Sequence, residues 1–229
     1  MFEIKRKVLF NIGCLNNGTY TIKSVYNSQK YNSSSKTSTL KILPTTHIDI
    51  RTAGYVYGEA ITVSYTIYDN NNKTVNGGTL LVYSDNNLLL KKNHNSSATT
   101  INMSNLSAGN HKLKLLYEST YYWNTSKETT ITVQKAKSNL YANSIQSFNT
   151  NNPKLDVNVT DILNNTINEG KLDVYLNNKL VKSQNVTGKN TIVLDKQNIG
   201  VYDLEVKFTS NNYISLNKQL KLTVNPVSK

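Results

Sequence analysis

Apolar and polar side chains alternate along much of this chain with a period of two. Ile61, Val63, Tyr65 and Ile67 are separated by Thr62, Ser64 and Thr66, and Leu155, Val157 and Val159 by Asp156 and Asn158. That spacing lines one face of an extended strand, so each run predicts a β-strand with one buried face. Both runs end at an aspartate, Asp69 and Asp161, and turn-forming residues follow: Asn70-Asn71-Asn72 through Asn76-Gly77-Gly78, and Asn164-Asn165 through Glu169-Gly170. Further strands are predicted at Thr79–Tyr83 and Lys171–Tyr175. Each leads to a tight turn, at Asp85-Asn86-Asn87 and Asn177-Asn178. Asn and Asp tolerate the positive φ that two-residue hairpins require. Strands at Leu88–Lys91 and Leu180–Lys182, then at Thr99–Met103 and Thr191–Leu194, come next. Hairpins pairing Lys112–Tyr117 with Thr129–Val133, and Asp203–Phe208 with Gln219–Val224, close each series. No segment carries a helical period of useful length.

The two series are copies of one unit, and the start of the chain holds part of a third. Gly18, Gly109 and Gly200 are spaced 91 residues apart. Two residues beyond each glycine stand Tyr20, His111 and Tyr202; eight beyond, Tyr26, Tyr117 and Phe208; thirteen beyond, Tyr31, Tyr122 and Tyr213. Leu40 and Ile42, Ile131 and Val133, and Leu222 and Val224 repeat in the same way. A shared period of this length marks a tandem array of one module. Repetition also argues against an enzyme, because a catalytic site is usually built once and asymmetrically.

Seven or so short strands per module, with turn signals between them, predict an all-β fold of tandem Ig-like antiparallel β-sandwiches, the N-terminal one incomplete. The expected boundaries are 1–43 for a partial domain holding only a back half, 46–134 for one complete sandwich and 135–229 for another. By the repeat offset the first module would begin well before Met1, so the sequence reads as opening in mid-domain, with its first segment the least stable part. The linkers Leu43-Pro44-Thr45-Thr46 and Gln134-Lys135-Ala136-Lys137-Ser138 are short and not Gly/Ser-flexible, which predicts a semi-rigid rod.

One motif carries structural chemistry. Leu15-Asn16-Asn17-Gly18-Thr19-Tyr20 reads Leu-x-x-Gly-x-Tyr; Leu106 through His111 repeats it with His for Tyr, and Gln197 through Tyr202 keeps the Gly and the Tyr. This is the tyrosine-corner pattern, in which a ring near the start of the penultimate strand bonds backbone a few residues upstream. His111 is therefore expected to be a corner substitute rather than a ligand or a base.

Composition narrows the function classes. The chain carries 26 Lys plus Arg against 14 Asp plus Glu, a net charge of +12. The lysines are spread along strands, with no dense run and no nucleic-acid motif, so they read as solvated faces and guarded sheet edges and no nucleic-acid partner is expected. There are 35 asparagines, far above ordinary usage, alongside abundant Lys, Tyr and Ile. These residues have A/T-rich codons, so a low-GC genome explains them; selection for a polar, glycan-like surface is the sharper alternative. The single cysteine, Cys14, excludes a disulfide framework, and no apolar run reaches the 18 residues of a membrane span.

Lys5-Arg6-Lys7 before Val8-Leu9-Phe10-Asn11-Ile12-Gly13-Cys14 faintly resembles a lipoprotein signal. Its apolar stretch falls short of the roughly 7–15 residues a signal core needs. The repeat supplies another reading: Phe10, Ile12 and Leu15 align with Ile101, Met103 and Leu106, which predicts a buried strand with an incidental thiol.

No catalytic, cofactor-binding or metal constellation emerges. His47, His94 and His111 fall in different parts of the module without Cys, Asp or Glu at ligand spacing. There is no nucleophile elbow and no Gly-rich phosphate loop. Asp69-Asn70-Asn71-Asn72 lacks the glycine of an EF-hand and carries Lys73, so it reads as a plain turn. Asn-x-Ser/Thr occurs at Asn17, Asn32, Asn72, Asn95, Asn102, Asn105, Asn124, Asn158, Asn164 and Asn185. In a secreted chain the loop positions Asn72, Asn95 and Asn124 are better glycan acceptors than Asn102 or Asn158, which fall in predicted strands.

The Gly-x-Tyr-x-x-x-x-x-Tyr-x-x-x-x-Tyr run from Gly18 to Tyr31, the Asp-to-Gly hairpin before a Gly-x-Leu-x-Val-Tyr strand, and the Asn/Lys/Tyr-rich composition together resemble the Ig-like repeats of large adhesin-like surface proteins, especially those of methanogenic archaea. The resemblance covers nearly the whole chain. It implies secretion, cell-surface attachment, adjacent repeats in a longer chain, and surface glycans or neighbouring-cell proteins as partners. The function it implies is that of a non-enzymatic stalk or spacer with a part in adhesion. The alternative is a carbohydrate-binding accessory module of a cell-wall or polysaccharide-active enzyme.

The local feature that stands out is Tyr121-Tyr122-Trp123. Tyr122 is the repeat tyrosine, whereas the equivalents of Trp123 are Asn32 and Ile214. This loop should lie beside the 70–77 loop, at the end that carries binding loops in variable domains. Tyr121 and Trp123 are the candidate ligand contacts, able to stack on a sugar or anchor a partner. The competing reading has Trp123 packed at a junction with the preceding module.

Overall fold

The computed structural model describes residues 8–96, 99–104 and 106–227. Every regular element in it is a strand. The first two are β1 (Gly18–Tyr26) and β2 (Ser34–Ile42). The next eight are β3 (Thr46–Arg51), β4 (Tyr55–Val56), β5 (Ile61–Asp69), β6 (Thr79–Ser84), β7 (Asn87–Asn93), β8 (Thr100–Met103), β9 (Gly109–Glu118) and β10 (Thr125–Gln134). Eight more follow: β11 (Ser138–Ala142), β12 (Ile145–Phe148), β13 (Lys154–Asp161), β14 (Lys171–Leu176), β15 (Lys179–Asn185), β16 (Lys189–Val193), β17 (Gly200–Thr209) and β18 (Leu216–Asn225).

The repeat read from sequence is a repeat of topology. One three-stranded sheet runs β3-β5-β8 and another β11-β13-β16; one five-stranded sheet runs β4-β10-β9-β6-β7 and another β12-β18-β17-β14-β15. Adding eight to each strand number converts the first pair into the second. The β1-β2 hairpin is the third copy of the closing hairpin, and its register is that of β17-β18: Gly18 faces Ile42 and Tyr20 faces Leu40, as Gly200 faces Val224 and Tyr202 faces Leu222. The chain is thus built of tandem β-sandwiches preceded by a two-stranded piece of one. Cα proximity divides it into two compact units, Met1–Arg51 with Ser64–Thr100 and Leu113–Thr129, and Thr52–Val63 with Ile101–Lys112 and Thr130–Lys229.

Burial follows the alternation. Along β5, Ile61, Val63, Tyr65 and Ile67 are buried, and along β13, Leu155, Val157 and Val159. In the last repeat these join Leu172, Val174, Leu204, Val206, Phe208, Leu222 and Val224 in one core. Each large side chain buried there is worth roughly 1.5–3 kcal/mol, so without a disulfide this core is what holds the repeat. The hairpin turns use the predicted chemistry: Asp85 and Asn86 have φ of 49° and 68°, and Asn177 and Asn178 of 47° and 65°. Both central residues at positive φ make these type I′ turns, whose twist matches that of the strands.

Three features differ from the sequence reading or were invisible to it. The strands β4 and β12 pair in parallel with β10 and β18, where no strand is predicted. A bulge interrupts both edge pairs at the same place: Leu90 faces Val82 and Leu88 faces Tyr83, leaving Leu89 extra, as Val181 is extra between Leu180 and Lys182. A bulge twists an edge away from foreign strands, the usual safeguard for an open sheet edge. The buried strand expected around Phe10, Ile12 and Leu15 is corrected: residues 8–17 form no strand, Phe10 is 79% exposed, and Cys14 is exposed. Ile101 and Met103 owe their burial to pairing of β8 in the β3-β5-β8 sheet, and among the described residues no such sheet accompanies β1-β2. Lys5, Arg6, Lys7 and the acceptor candidate Asn105 lie outside the described residues.

Candidate functional site

The loop between β9 and β10 is fixed at its base and free at its tip. At the base, Gly78 has φ of 81°, and a Cβ there would come within 2.5 Å of the Tyr117 ring. Only glycine lets the 70–78 loop close on β9, and Tyr117 then donates its hydroxyl hydrogen to Gly77 O at 3.1 Å. This sets the 70–78 loop against the end of β9, from which the β9–β10 loop leaves. Higher up, Ser119 N–H donates to Asn124 Oδ1 at 3.1 Å and Tyr121 N–H to Ser119 Oγ at 3.1 Å. Trp123 N–H donates to Pro44 O at 3.0 Å, and Thr46 Oγ1 donates to Trp123 O at 3.3 Å.

The last repeat makes the equivalent bond with a different side chain. Ile214 N–H donates to Ala136 O at 2.9 Å. The backbone of this position thus ties the loop to the segment entering its own repeat, whatever side chain it carries. The Trp123 side chain is 58% exposed and that of Tyr121 73% exposed, while the repeat tyrosine Tyr122 is half-buried. Lys41 Nζ lies 5.6 Å from the Tyr121 ring centroid, within range of a cation–π contact. The tip therefore presents two aromatic faces and a cation, surfaces suited to stacking on a sugar ring or anchoring in a partner's pocket.

The histidines have structural employment. His111 Nε2 lies 2.8 Å from Ser107 O, and Tyr20 and Tyr202 donate their hydroxyl hydrogens to Asn16 O and Asn198 O, each at 2.9 Å. All three bonds span four residues, so the imidazole reproduces the tyrosine corner. His47 stacks on Tyr68 with centroids 5.3 Å apart. His94 is buried: Nε2 lies 2.9 Å from Val75 O and Nδ1 3.1 Å from the Tyr65 hydroxyl, with the Tyr117 ring edge-on. Burial pushes its pKa below the usual imidazole value, and the nearby Lys92 ammonium pushes the same way against the Val75 bond. Sequence reasoning left His94 unassigned; its position in the bond pattern is that of Val186, since His94 N–H donates to Gly78 O as Val186 N–H donates to Gly170 O.

Asp69 Oδ1 accepts the Asn71 and Lys73 N–H groups at 2.9 and 3.0 Å, which makes the 69–73 segment an Asp-capped turn. No cluster of three or more metal-ligating side chains occurs among the described residues. Among the described residues no helix is long and apolar enough to cross a membrane. Among the glycan-acceptor candidates Asn72, Asn95 and Asn124 are exposed, whereas Asn158 is half-buried in β13 with its Oδ1 enclosed.

No family model matches the chain, and no curated protein matches it. Solved structures do. Invasin, described as a bacterial integrin-binding protein, matches at 17% identity with a TM-score of 0.50, over 81% of this chain and 40% of that one. The Yersinia pseudotuberculosis adhesin InvE matches at 13% identity and TM-score 0.46, over 77% of this chain and 58% of that one. A two-domain fibronectin type III segment from chicken tenascin matches at 13% and 0.45, over 78% and 98%. At 17% identity the property shared with invasin is the fold, that of tandem β-sandwiches.

Proposed function

We propose that this chain is a non-enzymatic, surface-displayed piece of an adhesin-like protein, with domains at 1–43, 46–134 and 135–229. Its repeats space and present the β9–β10 loop, and Tyr121 and Trp123 contact the ligand, a surface glycan or a protein of a neighbouring cell. The carrying observation is that the Trp123 side chain stays exposed on a loop whose backbone is tied down exactly where Ile214 is tied in the next repeat. Trp and Tyr side chains exposed together on one loop are the kind that anchor partners at interfaces. Invasin shares the fold and is a binding protein by its description, which supports the class of role without naming a ligand. Extracellular delivery, an archaeal source of the methanogen type and glycosylation at the exposed Asn72, Asn95 and Asn124 belong to the same reading. Binding of the purified chain to a glycan array and to cell-surface proteins, compared with that of Trp123→Ala, tests it.

A further inference from the structure

Two turns of this chain are built on the same bonds. After β4, Tyr57 N–H donates to Gln134 O at 2.9 Å and Glu59 N–H to Val56 O at 3.1 Å; after β12, Asn149 N–H donates to Asn225 O at 3.0 Å and Asn151 N–H to Phe148 O at 2.9 Å. Each turn walls a recess. Both recesses lie wholly within the second compact unit.

The first recess is closed on one side by another loop. Its far wall is Asn212 and Tyr213, from the loop between β17 and β18. The Tyr213 ring meets Tyr57 edge-on at 5.4 Å, and Ala108 N–H donates to Asn212 Oδ1 at 2.8 Å. Asn212 is oriented for this by donating its own amide to Glu169 Oε2 at 2.9 Å. The second recess is walled by Phe148, Thr150, Asn151, Asn152, Lys154 and Lys196, and among the described residues no loop enters it. Phe148 stands where Val56 does and is 48% exposed; Ile199 stands where Ala108 does and is 57% exposed.

We infer that the second recess is a socket for the corresponding loop of a further β-sandwich repeat, joined in series and seated as Asn212 and Tyr213 are seated in the first. The inference rests on reading the chain as part of a tandem array. What says which occupant fits is the first recess, where that loop forms the wall facing the same turn. The chemistry of the incoming loop follows from the substitutions. Asn149 replaces Tyr57 and Asn151 replaces Glu59, and Lys154 and Lys196 are exposed at the rim. The socket therefore selects a loop with an amide acceptor at the Asn212 position for the Ile199 N–H and a carboxylate facing the lysines. An apolar side chain at its tip covers Phe148.

The test keeps the full chain and appends residues 139–229 directly after Lys229, which preserves the 91-residue period. Amide hydrogen exchange at residues 146–152 and 196–199 is compared with that of the chain alone. The inference predicts slowing of tenfold or more, lost on Phe148→Asp in the socket or on Asn212→Ala with Tyr213→Ala in the appended copy. A second probe needs no appended domain: a cyclised peptide spanning residues 204–220, added to the chain, should slow the same amides. If neither the appended repeat nor the peptide protects them, the inference is wrong. If the unextended chain protects them by concentration-dependent self-association, the occupant is a second copy and the in-series assignment is overturned. The β9–β10 loop is the counterpart, 91 residues earlier, of the loop that walls the first recess, but the exchange assay reads residues 146–152 and 196–199 while the Trp123 assay reads ligand binding, so the two failures are distinguishable.

Discussion

Tyr65 and His94 share a buried hydrogen bond of 3.1 Å between the phenol and Nδ1, in a position that the next repeat fills with Val186. The carbonyl of Val75 can only accept, so Nε2 carries the proton and Nδ1 receives the Tyr65 hydrogen. That arrangement works for a neutral imidazole only. Protonating Nδ1 removes the acceptor from Tyr65 and places a charge in the core near Lys92.

The folded-state pKa of His94 is depressed below the ordinary 6.5, so the unfolded chain takes up the proton first. This stability is present above about pH 6.5 and is lost as pH falls below it, until the folded form titrates too. Thermal melting of the wild type should therefore drop between pH 7.5 and 5 by more than that of His94→Val. Parallel pH profiles for the two proteins would contradict the assignment.

The corner bonds can be weighed singly. Tyr202→Phe keeps the ring and deletes the bond to Asn198 O. A hydrogen bond of this kind contributes about 0.5–1.5 kcal/mol, so urea unfolding should show a loss of that size with the denaturant slope unchanged.

Gly170 and Gly58 separate strain from collision. Both have positive φ, 93° and 87°. A Cβ on Gly170 would lie 2.5 Å from Thr209 O and 2.8 Å from the Phe208 ring, while one on Gly58 meets nothing within 4 Å. Gly58→Ala should cost only the roughly 1–2 kcal/mol of left-handed backbone. Gly170→Ala should cost clearly more, because β17 or the Phe208 ring must shift in a close-packed core. Equal losses in denaturant titrations would contradict the packing described here.

Much of this architecture is legible in the sequence because its rules are local. Alternation in Ile61–Ile67 reports a strand with one buried face, Asp85-Asn86 and Asn177-Asn178 report their turns, and the Gly-x-Tyr spacing reports the corner even where His111 replaces tyrosine. What was missed depends on partners. The strands β4 and β12 are short, and Gln146 and Ser147 carry no apolar signal; they exist because β10 and β18 offer an open edge. The bulges at Leu89 and Val181 cannot be read from a run such as Leu88-Leu89-Leu90, which fits either register. Phe10 and Ile12 alternate correctly, but a strand needs a sheet. Of the candidate site, the extra aromatics were visible by comparison between repeats, Tyr121 with Lys30 and Asn212, and Trp123 with Asn32 and Ile214. Their exposure was not, because it depends on where the loop is tied.

The most direct test of the proposed role is binding by the full chain and by Trp123→Ala to one glycan array and one set of cell-surface proteins, with melting curves alongside. The account predicts that the wild type binds, and that the variant loses tenfold or more in affinity, about 1.4 kcal/mol, while its melting temperature is unchanged. A variant that binds as well as the wild type would contradict it. So would one that melts far lower, since the indole would then be packing rather than contact.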